Sequence, residues 1–478
     1  MRSNTLQRVC FPALLSLLFS ILGGCSFDDT RPVHTGSEIR LLQVSENGRY
    51  LQHENGAPFF WLGDTGWLLF QKLSREEASQ YLQDRHDKAF NVIQVMVIHD
   101  LSEKNYYGDF AFIDQDPARP DITPGSSYQN ANEYDYWDHV DYIVALAAEK
   151  GIHLAMVPVW GSVAKEVPDD LAWAAQYASW LAQRYKDRPN IIWLNGGDIR
   201  GDDMPETWRQ IGSTLDALDP RHLISFHPFG RTQSATWFHD STWLDFNMFQ
   251  SGHRRYDQMR ETDDPALWKG EDNWKYVVED YARRPAKPTI DGEPSYENIP
   301  QGLHDPNEPY WTAADARRYA YWSVFAGAFG HTYGNNAVMQ MHKPNTGEGD
   351  YGVRNHWFEA INDPAAGQMQ HLKNLILSRP FFERVPDQSL LAGSNGSNYD
   401  HIIATRGRNY AFLYNYTGRT FDVVAGKISG KQVEASWFNP RNGDTNFIGR
   451  FENSGTLHFD PPGEKSPGND WVLVLDGH

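Results

Sequence analysis

Cysteine is nearly absent from this 478-residue chain, which has only Cys10 and Cys25. That excludes a disulfide framework and zinc sites built from cysteine pairs. Basic charge is scarce too, with 43 Lys and Arg against 62 Asp and Glu, so no cationic footprint for nucleic acid exists. The only long apolar run, Phe11 to Leu22, is too short to cross a bilayer as a permanent helix. His-Glu-x-x-His, an EF-hand loop and a Gly-x-Ser-x-Gly elbow are all missing. Gly393-Ser394-Asn395-Gly396 lies among β-rich segments and reads as a turn, not a phosphate loop. Asp114, Asp116 and Asp121 read as a solvated acidic loop, not as calcium ligands. No metal, cofactor or nucleic-acid partner is expected, and neither internal repeats nor low-complexity stretches occur.

What the chain does contain begins with a targeting segment, residues 1 to 25, set aside from fold reasoning. Arg2 and Arg8 precede the apolar run, and Leu22-Gly23-Gly24-Cys25 closes it. That ending resembles a bacterial lipoprotein box, in which the cysteine becomes the lipidated first residue. The resemblance implies lipidation at Cys25 and a mature protein without thiol or disulfide, although it works outside the cytoplasm. Asp28-Asp29 just beyond resembles surface-export signals of some lipoproteins. The expected location is the cell envelope, lipid-anchored at the outer membrane and facing the periplasm or the surface. An ordinary signal peptide with an incidental cysteine is the alternative.

Residues 26–38 read as a polar tether. Arg40 to Ser45 and Tyr50 to His53 flank Glu46-Asn47-Gly48, a strong hairpin signal, and Asn55-Gly56 marks a second turn. Eight strand candidates then alternate with helices, starting at Phe59 to Asp64 and ending at Gly330 to Gly334. Ser74-Arg75-Glu76-Glu77 has a capping-box pattern that opens the first helix. This alternation predicts an α/β fold, a (β/α)8 TIM barrel over 39–384 with the hairpin at its start. From residue 385 to 478, short β-rich runs separated by Gly, Asn and Pro predict a C-terminal antiparallel β-sandwich.

Two apolar runs end abruptly in a carboxylate beside glycine: Ile191 to Asp198, and Pro288 to Glu293. They are the fourth and seventh strand candidates, and strand C-termini of a barrel face the ligand. Asp198 and Glu293 therefore sit across one mouth, as a pair suited to glycosidic bond cleavage. Helix capping for Asp198 and a rim salt bridge for Glu293 are the plain alternatives. Asp291 shares the face of Glu293 but lies deeper. Asp64 and Trp67 could hold a sugar hydroxyl and stack a ring, or simply pack the rim. Trp160, Asn195, His227, Gln250, His253, His331 and Asn335 stand at or near strand ends as further substrate-binding candidates. The histidines among them could donate to hydroxyls, orient Glu293, or be structural. Aromatics make up 14% of the chain, which suits sugar stacking but also suits a large core.

Four stretches carry a family resemblance: Asn47 to Leu51, Phe60 to Trp67, Trp193 to Asp198, and Asp291-Gly292-Glu293-Pro294-Ser295-Tyr296-Glu297. The chain resembles the apiosidase-like glycoside hydrolases, a barrel followed by a β-sandwich named for collagen binding. The resemblance implies retaining hydrolysis of a plant or microbial polysaccharide, Asp198 as acid/base and Glu293 as nucleophile, and apiose-linked pectin side chains as substrate. It departs from the wider clan of retaining barrels at strand four, where Asn195-Gly196-Gly197-Asp198 replaces the usual Asn-Glu. One rival is a non-catalytic glycan-binding surface lipoprotein. Another takes the collagen label literally and makes the chain a protein-degrading enzyme, for which no protease constellation is visible.

Overall fold

A computed structural model describes residues 39–167, 171–344 and 347–478. The chain enters through a small antiparallel sheet, Leu42–Val44, Leu51–His53 and Pro58–Phe59, whose two turns carry Gly48 and Gly56 at positive φ. The run that sequence patterning joins into one strand from Phe59 is thus divided. Phe59 pairs backwards into this sheet, and Trp61 opens the barrel.

The barrel strands are β1 (Trp61–Thr65), β2 (Val92–Met96), β3 (His153–Val157), β4 (Ile191–Ile199), β5 (Ile224–Pro228), β6 (Asn247–Phe249), β7 (Thr289–Asp291) and β8 (Gly330–Tyr333). β8-β1-β2-β3-β4-β5 form one parallel ladder and β6-β7 a second. The ring closes where Asp245 N–H donates to Ile224 O and Phe329 N–H to Thr289 O, at 2.9 and 3.1 Å. Every residue of β1, β2, β3 and β8 is buried, as expected for parallel strands covered on both faces.

Local signals account for the helices. The one over Arg75–Asp87 starts at Ser74, whose side chain accepts the Glu77 N–H while Glu77 reaches back to the Ser74 N–H. Asp135 caps Tyr136–Glu149 by accepting two N–H groups. Sequence patterning predicts a helix from Asp169 to Arg188; it is described from Leu171 to Tyr185, and Asp169 itself lies outside the described residues.

After Pro380 the chain forms two antiparallel sheets. One has six strands in the order Val385–Pro386, Ile402–Arg406, Tyr410–Asn415, Trp471–Gly477, Gln432–Phe438, Thr445–Glu452; the other has Leu391–Ala392, Phe421–Val424 and Thr456–Phe459. The larger sheet packs on the barrel helix Ala313–Phe325, where Tyr321 stacks on Tyr414 at 4.7 Å between ring centres. Arg317 clamps Asp470 bidentately at 2.8 Å, both side chains being buried. The sandwich thus braces the flank of the barrel. None of its residues lines the cleft described next, so it does not extend a wall of that cleft.

Candidate active site

A cleft of about 280 Å³ opens among the C-terminal ends of the barrel strands, and both Asp198 and Glu293 line it. Asp198 arrives there by a backbone device. β4 and β5 stay in register from Trp193 opposite Ile224 to Gly196 opposite His227, then slip, so that Ile199 meets Pro228. The extra residues bulge outward with φ of 87° at Gly196, 110° at Gly197 and 45° at Asp198. Bulges beside active sites re-aim side chains, and this one turns Asp198 into the cleft. Glycine is required twice over, because a Cβ on Gly197 would meet Trp160 Cε3 at 2.7 Å and one on Gly196 would meet Phe226 Cε2 at 2.6 Å.

Glu293 lies two residues beyond β7, on a turn held by buried Gln94 of β2, whose Nε2 donates to Gly292 O at 2.8 Å. Its carboxylate faces two imidazoles. His253 Nε2 lies 3.0 Å from Oε1, and His227 Nε2 lies 3.3 Å from Oε2. The Asp198 N–H donates to His227 Nδ1 at 3.3 Å. That bond makes Nδ1 the acceptor and leaves the proton on Nε2, aimed at Glu293. His227 therefore bridges the backbone of Asp198 and the carboxylate of Glu293.

The two carboxyl groups titrate far apart. Burial raises the pKa of Glu293, but the two histidines outweigh it and hold the group at about 2. Water reaches one side of Asp198 while protein crowds the rest. That desolvation first, and the Glu293 charge second, push Asp198 up to about 6. One group stays ionised and the other holds a proton in mildly acidic water. Diverging carboxyl pKa values in one cleft assign a base or nucleophile and an acid.

Trp67, Trp160, Gln250 and His253 also line the cleft, with His227 directly behind Glu293. Trp67 meets Trp160 and His227 edge-on, each at 5.2 Å. Gln250 is buried and its Oε1 has no partner, leaving an acceptor free on the wall.

Four other candidates are elsewhere. Asp64 is completely buried, bonded to Tyr81 Oη at 2.7 Å and paired with Arg85 at 3.2 Å, so it cannot meet a sugar. Asn195 spends its amide on the Trp208 carbonyl at 2.7 Å and its oxygen on the Gly196 N–H at 3.0 Å. His331 is sealed in the barrel, where burial alone lowers its pKa to about 3. Asn335 caps Asn336–Met339 through the Ala337 N–H and donates to Asp363. Within the fourth of the family stretches, Asp291 is held by Ser251 and Asn273 beneath the cleft, and Glu297 accepts from Tyr333 Oη and the Ala365 N–H. Cys25 lies outside the described residues. Sequence reasoning missed His99, Arg231, Arg254, Tyr296 and Tyr351, all of which line the cleft. His99 and Arg231 follow β2 and β5 by three residues each, so position after a strand was their only available signal.

A (β/α)8 barrel with paired carboxyls at the ends of β4 and β7 defines a class, the barrel glycoside hydrolases, and the comparisons agree. A solved structure described as "Glycoside hydrolase" is 50% identical, with a TM-score of 0.85, covering 92% of this chain and 97% of that one. A glycoside hydrolase family 5 structure from Bacteroides vulgatus ATCC 8482 is 48% identical, with a TM-score of 0.86, covering 91% and 94%. Among curated proteins nothing matches. The model of the apiosidase-like catalytic domain matches residues 45–383, and that of the "Putative collagen-binding domain of a collagenase" matches 385–476. The chain belongs to the apiosidase-like family and is a glycoside hydrolase.

Proposed function

We propose that the chain hydrolyses glycosides by double displacement, with Glu293 as nucleophile and Asp198 as acid/base. One observation carries this reading: the histidine pair keeps Glu293 ionised, while desolvation and the Glu293 charge keep a proton on Asp198. Glu293 attacks the anomeric carbon as Asp198 protonates the departing oxygen, giving a glycosyl-enzyme; Asp198, now ionised, then takes a proton from water, which hydrolyses that intermediate. Trp67 and Trp160 offer ring faces or edges to the sugar, and Gln250 Oε1 accepts from a hydroxyl. At about 280 Å³ the cleft lies just below the roughly 300–1,000 Å³ typical of ligand pockets, which suits a short side chain better than a long polymer. Family membership supports apiose-linked side chains of pectin as the substrate. Leu22-Gly23-Gly24-Cys25 supports a lipid anchor at the outer membrane, tested by Cys25→Ala, which should move the protein to the soluble fraction.

Proton NMR of the first-formed product tests the mechanism. Net retention at the anomeric carbon is expected, with Glu293→Gln folded and inactive. Inversion would place water between the carboxyls and make Glu293 a base.

A further inference from the structure

One wall of the cleft is positively charged although the chain carries a formal net charge of −19. Arg231, Arg254 and Arg260 all line it. Two of these cations have visible compensation or solvent. Arg254 is buried and forks onto Asp263 at 2.6 and 3.0 Å, with its guanidinium over Trp268. Arg260 is exposed.

Arg231 is different. It is half-buried, and its side-chain hydrogen bond goes to a neutral acceptor, the Gly252 carbonyl, at 3.3 Å. Burial first, and the neighbouring Arg254 second, lower its pKa to about 10, so it remains charged in an environment that penalises charge. Its backbone is also unfavourable, with φ of 62° at a residue bearing a side chain. Such conformations persist where surrounding structure enforces them and concentrate at functional sites. Here the enforcement is visible: Arg231 N–H donates to the Gln250 carbonyl at 2.6 Å, while the adjacent Gly230 N–H serves Asp198. The loop that seats the acid thus presents the guanidinium.

We infer that Arg231 is a specificity-determining residue that binds an anionic substituent of the sugar substrate, a carboxylate of a uronic acid or a sulfate ester. A planar guanidinium matches either anion by paired N–H donors, and an anion there adds to the compensation that Arg231 receives from Asp263, which is forked onto Arg254. Gln250 Oε1, on the segment that holds the Arg231 backbone, leaves an acceptor for a neighbouring hydroxyl. The inference rests on the glycosidase reading of the same cleft.

The test compares kcat/KM of the full-length enzyme on a uronic-acid-containing oligosaccharide that it hydrolyses and on its carboxyl-reduced counterpart. A charge-assisted hydrogen bond lost in this setting corresponds to about a 10- to 100-fold drop. The wild type should favour the acidic substrate by that factor. Arg231→Gln should abolish the preference by lowering kcat/KM on the acidic substrate about 10- to 100-fold more than on the reduced one, and Arg231→Lys should restore part of it. Isothermal titration of Glu293→Gln with digalacturonate and with galactose 6-sulfate separates the two anions without turnover. Equal rates of the wild type on both substrates, with neither anion bound, would overturn the inference and leave the glycosidase reading standing. If Arg231→Gln does not fold, the wild-type preference and its weakening between 50 and 500 mM salt still decide. Absence of turnover on any glycan would instead sink the parent reading.

Discussion

Replacing Asp198 by Asn keeps the shape of the side chain and removes its titrating proton, which gives a sharp test of the acid. In the wild type the Asp198 carboxyl sits at about 6 and that of Glu293 at about 2. The productive state needs Asp198 protonated and Glu293 ionised, so kcat/KM should be level between these values. It should fall as pH rises through about 6, because the donor proton leaves. Each further unit removes about tenfold, so at pH 8 the rate should be about 100-fold below its plateau. Asp198→Asn should lower kcat/KM on a poor leaving group by about 10²- to 10⁴-fold, the usual worth of a general acid, and erase the alkaline limb. An aryl glycoside with an activated leaving group should still form the glycosyl-enzyme, giving a burst followed by slow release. Azide should accelerate that release because it attacks without a general base. The assay is steady-state and stopped-flow kinetics from pH 4 to 9 on both substrate types. An alkaline limb that survives in Asp198→Asn would refute the assignment, as would an aryl glycoside that loses as much as the poor substrate.

Three further outcomes follow from the geometry. His253→Ala removes the 3.0 Å contact to Glu293 and should lift the acid limb of kcat/KM by about one to two units, readable between pH 3 and 5; no movement would mean that His227 alone sets Glu293. Asp64→Asn removes one of the two carboxylates on the buried Arg85, Asp84 staying at 2.8 Å, and should cost about 1–3 kcal/mol in urea unfolding with KM unchanged, whereas a substrate role for Asp64 would show the reverse. Gly197→Ala forces a Cβ against Trp160 at φ 110° and displaces the bulge, so kcat should drop about 100-fold while circular dichroism stays native; full activity would deny the bulge its role in aiming Asp198.

The outline of this architecture was legible because its signals are local. Asn-Gly turns, a capping box at Ser74 and apolar runs of strand length each point to one element, and their alternation leaves few topologies besides a closed barrel. The edge strand Thr445–Glu452 is not marked by alternation, because six of its eight residues are exposed and the exposed ones include the adjacent Phe447 and Ile448. Within the site, Asp198 and Glu293 could be read because each is a charge ending a buried run beside glycine. Asp64 lies near the end of its strand, Asn195 within β4 and His331 at the start of β8, and all three turn away from the cleft. Their strands are buried on both faces, so polarity does not alternate and cannot reveal which way a side chain points. The Gly196-Gly197 pair shows the same limit from the other side. From sequence, paired glycines imply that something approaches the backbone closely, and the expected visitor is a ligand. The bodies that approach are Trp160 and Phe226, and the freedom is used to open a bulge. The bulge inserts two residues after Gly196, and Asp198 is the second of them, outside the paired register. A period-2 count along β4 therefore cannot place Asp198, and its entry into the cleft becomes evident only once the register with β5 is known.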